Sequence, residues 1–148
     1  LSDKKAALLE KEGAWVPVVL LPPQPVIDQL KREGKDVPSR RIRALIDTGA
    51  ESTSISQKEL DAIGLISRNV RNMIASSGEK RVSPAFDITL ELEYGGKDDF
   101  VVFPFEVAAL DLDEIGVYAL IGRDVLRHFK LTYNGPEGAY KLEFIGSR

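Results

Sequence analysis

Apolar and polar positions alternate most regularly between Asp87 and Tyr94. There Ile88, Leu90, Leu92 and Tyr94 interleave with Asp87, Thr89, Glu91 and Glu93. A period of two predicts a strand with one face buried. After a turn at Gly95-Gly96, the run Phe100 to Ala109 is almost continuously apolar, which predicts a buried strand interrupted or bent at Pro104. Ala14 to Leu21 predicts another strand, ended by Pro22-Pro23. Arg41 to Ile46, Glu51 to Ile55 and Val117 to Ile121 are further strand candidates. Arg71–Ala75 and Lys80–Phe86 flank a small tip, Ser76-Ser77-Gly78-Glu79, and predict a hairpin. A last hairpin is expected from Lys130–Asn134 and Tyr140–Ile145 over Gly135-Pro136-Glu137-Gly138. Helical signals are few. Ser2 to Gly13 predicts a short charged helix stopped at Gly13. Pro25 to Lys35 predicts a helix with Val26, Ile27 and Leu30 on one side. Ser56-Gln57-Lys58-Glu59 has the form of a capping box for a helix over Lys58–Ile63, ended by Gly64. Many short strands and little helix predict a mostly β, closed, barrel-like domain with one or two short helices.

Composition narrows the functions. A chain of 148 residues is expected to form one domain with a real core. The natural division is a charged helical or flexible segment over 1–13 and a domain over 14–148. Residues 22–39 read as an insertion that decorates the surface. Net charge is −3 and no basic patch shows along the chain, so no nucleic-acid partner is expected. There is no cysteine, hence no disulfide, thiolate metal site or cysteine nucleophile. No run is apolar and long enough to span a membrane, and no signal peptide is visible. The chain opens on Leu1, which leaves room for segments beyond it, and its localisation is left unknown. The one histidine, His128, excludes a multi-histidine zinc site and reads as structural or exposed. Asp111, Asp113 and Glu114 lack the spacing and glycine of a calcium loop and read as solvated acids. No metal and no cofactor are expected, and carboxylates remain the candidates for acid–base chemistry.

The sharpest chemical signal is Ala44-Leu45-Ile46-Asp47-Thr48-Gly49-Ala50. An acid at the mouth of an apolar strand costs solvation free energy, where another hydrophobe would cost none. A second segment, Ala119-Leu120-Ile121-Gly122-Arg123-Asp124-Val125-Leu126, repeats the Ala-Leu-Ile run before a glycine and an arginine. The echo suggests two similar strands meeting at one site. The two segments, in this order and with a hairpin between them, resemble the two signatures of retropepsin-like aspartic proteases. The layout resembles the bacterial single-lobe members over about Trp15 to Phe144.

The resemblance implies a single acid-protease lobe, active as a C2 homodimer on a polypeptide substrate. Two carboxylates are needed close together, one ionised and one protonated, and this chain carries one Asp-Thr-Gly. The economical solution pairs Asp47 with the Asp47 of a second copy. By resemblance, Thr48 would bond across the dimer axis, Gly49 would present backbone near the dyad, and Ala50 would line a pocket. Glu51 and Arg123, the latter following Gly122, would form an ion pair bracing the loop. Ile74, Ala75, Ser76, Ser77 and Gly78 would form a substrate-binding flap. Ala50, Ile74, Ala75 and the Leu110–Tyr118 loop would favour apolar side chains beside the cut. The alternative is a retained fold without proteolysis, serving as a dimerisation or peptide-binding module.

Overall fold

In the computed structural model, the described residues are 2–67, 69–74, 77–110 and 116–146. The elements run α1 (Ser2–Glu12), β1 (Trp15–Leu21), α2 (Gln24–Arg32), β2 (Arg40–Ile46), β3 (Ser54–Ser56) and α3 (Gln57–Ala62). They continue with β4 (Asn69–Ile74), β5 (Lys80–Glu93), β6 (Phe100–Leu110), β7 (Ala119–Ile121), α4 (Arg123–Leu126), β8 (Phe129–Asn134) and β9 (Ala139–Phe144). β1, β2, β7, β3, β6 and β5 are neighbours in that order, and β1 pairs again with β5, which closes a six-stranded barrel. β4 extends β5 beyond the ring, and β8–β9 form a separate two-stranded sheet.

Alternation builds the core. Val16, Val18 and Leu20 of β1 are buried while their neighbours are half-exposed. Ile88, Leu90 and Leu92 of β5 are buried opposite them, joined by Ala44, Ile55, Val107, Ile121 and Val125. Each large aliphatic side chain buried this way contributes about 1.5–3 kcal/mol. Arg40 and Arg41, at the start of β2, are each fixed to a buried acid. Arg40 donates to Glu59 of α3 at 2.6 Å, and Arg41 to Glu93 of β5 at 2.5 Å. The hydrogen bond to Glu59, aided by its charge, holds the Arg40 guanidinium pKa above its ordinary value.

Several predicted elements change in detail. Lys80–Phe86 and Ile88–Tyr94 join into one 14-residue strand, β5. Its first part pairs with β4 and its second with β6 and β1. Pro104 does not interrupt β6. It sits opposite Thr89 where no second strand flanks β6, since β3 pairs only with 108–110, so the missing N–H is tolerated. The capping box does not form. The Ser56 side chain makes no cap bond, its N–H is taken by the Tyr118 carbonyl at 2.8 Å, and Glu59 turns to Arg40. In α2 only Ile27 is fully buried, and Val26 stays exposed. Asp111, Asp113 and Glu114 lie outside the described residues. His128 packs on the Phe103 ring at 5.5 Å between centroids, beside the Tyr94–Phe129–Phe144 aromatic group.

Candidate active site

The two Ala-Leu-Ile runs lie side by side. β2 and β7 are parallel, with Leu45 opposite Leu120 and Ile46 opposite Ile121. Both chains leave the barrel at the same edge, one into Asp47 and the other into Gly122. The Asp47 N–H donates to the Ile121 carbonyl at 2.9 Å, so the pairing extends one residue past the strand. The Asp47 carboxylate accepts the Gly49 N–H at 2.9 Å, and the Asp47 carbonyl accepts the Ala50 N–H at 3.2 Å. These bonds curl residues 47–50 into a tight turn. Asp47 is half-buried, while Thr48 and Gly49 are exposed at the surface of the chain.

Residues 50–53 do not continue as strand, contrary to the expectation of a strand from Glu51. Their backbone is used by the second motif instead. Arg123 N–H donates to the Ala50 carbonyl at 2.8 Å, and Asp124 N–H to the Glu51 carbonyl at 3.1 Å. β3 therefore begins only at Ser54. Gly122 touches this loop directly. A Cβ there would lie 2.5 Å from the Ser52 carbonyl carbon and 3.0 Å from the Ala50 oxygen.

Asp124 is the residue that reading the sequence missed. Its carboxylate accepts the Thr53 N–H at 3.0 Å, the Thr53 hydroxyl at 2.7 Å and the Val125 N–H at 2.8 Å. The Thr53 hydroxyl in turn accepts the Gly122 N–H at 3.0 Å. Thr53 is fully buried, so these bonds stand in for the water it has lost. The available signals were an acid in the first turn of a short helix and a hydroxyl residue six positions after Asp47.

The expected Glu51–Arg123 ion pair is absent among the described residues. Arg123 donates instead to the Thr48 carbonyl at 2.8 Å, while Glu51 is exposed. The loop is braced from the predicted side, but against a backbone oxygen. A guanidinium within reach of an unsatisfied turn carbonyl makes a charge-assisted bond without ordering a second long side chain.

The structure thus brings Asp47, Thr48, Gly49, Ala50, Gly122 and Arg123 into one loop cluster. Of the flap candidates, Ala75 and Ser76 lie outside the described residues. Ile74 ends β4 opposite Lys80, Ser77 is exposed, and Gly78 turns the hairpin with φ +84°. Two parallel strands that present a lone carboxylate on an exposed, braced turn can place an acid–base group against a second molecule. No metal-holding group of acids or histidines occurs among the described residues.

A family model described as aspartyl protease matches residues 33–125, more than half of the chain, with the whole of the first motif and the second as far as Val125. No curated protein matches the chain.

Proposed function

The chain belongs to the aspartyl protease family, and from that premise we propose that it is an endopeptidase acting as a homodimer. The observation that carries the proposal is the Asp47 carboxylate. It is half-buried, oriented by the Gly49 N–H, and set on a turn whose next two residues are exposed. A site that needs two carboxylates and owns one is completed by a second copy about a two-fold axis.

In this mechanism the two Asp47 carboxyls share one proton, because adjacent like charges resist joint ionisation. The ionised member takes a proton from a water, and the oxygen of that water attacks the scissile carbonyl. The protonated member gives its proton to the carbonyl oxygen. The resulting gem-diol collapses: one of its hydroxyls returns a proton to the ionised carboxylate, the C–N bond breaks, and the amine nitrogen receives the proton of the protonated member, which leaves the dyad with one proton again. Thr48 holds the two turns in register across the axis. Gly49 lets the substrate backbone approach, and Ala50 lines a subsite. Residues 74–78 cover the bound peptide, which lies as an extended strand. The unit that does this work is assigned to residues 14–148.

The test is cleavage of a diverse peptide pool, read by mass spectrometry, by the natural chain and by Asp47→Asn. Cleavage by the first alone is the expected result. Equal cleavage by both would overturn the assignment of Asp47, and no cleavage by either would favour a binding module.

A further inference from the structure

An open groove of about 880 Å³ is lined by Arg40, Ile42, Arg43 and Leu45 of β2, among others. Leu45 lies one residue before the end of β2 and two before Asp47. The groove therefore includes residues that closely precede the candidate catalytic carboxylate in the chain. It is not an apolar slot. Lys11, Arg40, Arg43 and Lys58 line it against only two acids, Glu12 and Glu59. One of these, Glu59, is held by Arg40. In a chain of net charge −3, this is a local reversal of sign.

Arg43 is the best-placed of these cations. Its guanidinium lies 4.9 Å from the centroid of the Trp15 ring, and it has no ion pair with an acid among the described residues. Trp15 is itself fixed, its indole N–H donating to the Glu12 carbonyl at 2.9 Å. A guanidinium held over an aromatic ring by its charge keeps N–H donors with which to bind a carboxylate. Tyr118, 41% exposed, stands on the groove wall and adds a phenol. Arg43 lies four positions before Asp47, about 13 Å at the rise of a strand.

We infer that this groove selects acidic side chains of the polypeptide substrate, with Arg43 the residue that determines the preference, within about four residues of the scissile bond. The inference rests on the peptidase reading above and names a substrate class for it. Positive charge focused in a groove of an acidic protein raises the local concentration of an acidic segment and rejects a basic one.

The test uses Asp47→Asn protein and decapeptides that carry a single Glu or Gln at each successive position, with binding read by fluorescence anisotropy. At least one position should bind Glu about tenfold more tightly than Gln, with the difference shrinking as salt is raised. Arg43→Gln, added to the same protein, should level the preference. Arg43→Glu should turn it toward Lys. The inference is overturned if Glu and Gln peptides bind alike, if neither binds, or if the preference survives Arg43→Gln. Glu-selective binding without any hydrolysis by the natural chain sinks the peptidase reading and leaves the selection of acidic segments standing.

Discussion

Gly122 has no room for a side chain, because the Ser52 carbonyl group occupies the place its Cβ would take. Its φ of −92° is open to any residue, so the demand is for space and not for backbone freedom. Gly122→Ala must push the turn at residues 50–52 away and is expected to cost about 1–3 kcal/mol. Urea unfolding checks that figure, and peptide cleavage should fall with it. Thr53→Val keeps the shape of a fully buried side chain but removes both hydroxyl bonds of the latch. A loss of about 1–3 kcal/mol is expected, since the Gly122 N–H and the Asp124 carboxylate each lose a partner. Thr53→Ser, which retains the hydroxyl, should recover much of the loss. If Thr53→Val melts and cleaves like the natural chain, the latch has no structural role. The resemblance implied Glu51 as the partner of Arg123, and an acid is visible in a sequence. A turn carbonyl is not, since its exposure depends on how residues 47–50 curl.

At the scale of elements, the strands were readable wherever one face repeats with a period of two or a run is wholly apolar. β1, β5, β6 and the β8–β9 hairpin all follow such patterns. The meeting of β2 with β7 was also legible, through the repeated Ala-Leu-Ile. Boundaries set by distant partners were not. β3 starts late because the second motif takes the backbone of residues 50–53, and the Ser56 N–H goes to Tyr118 instead of a capping Glu59. The basic groove was hidden for the same reason. Lys11, Arg43 and Lys58 come from α1, β2 and α3, and no window of the chain gathers them. The start of β2 carries its own prediction. Arg41→Ala leaves Glu93 buried without its cation. The expected loss is about 1–2 kcal/mol, tempered by the half-exposed arginine. A double-mutant cycle with Glu93→Gln should recover coupling between them, and its absence would mean that the pair is merely adjacent.

Over the whole molecule, the two ends of the chain lock together. The Tyr140 hydroxyl accepts the Trp15 N–H at 3.0 Å and donates to the Trp15 carbonyl at 2.7 Å. The Gly138 turn lies so close to α1 that a Cβ would meet the Lys5 backbone at 2.1 Å. Tyr140→Phe should therefore cost about 1 kcal/mol or somewhat more in thermal or urea unfolding. No change would place the β8–β9 hairpin outside the cooperative unit. The proposed homodimer carries a prediction at this scale too. Specific activity should fall on dilution, in step with dissociation followed by sedimentation, whereas activity independent of concentration would sink the shared dyad. The bond between Asp47 and Ile121, together with the latch that spans 71 residues from Thr53 to Asp124, has a consequence in time. A growing chain exposes its aspartate well before it makes the strand that positions it, by roughly 4–15 s at common rates of synthesis. Until the second motif emerges and the barrel closes, the carboxylate is an ordinary surface acid. The order of the two motifs thus delays the positioning of Asp47 until the barrel is complete, and a chain cut short before residue 119 would carry the first motif without the strand that pairs beside it.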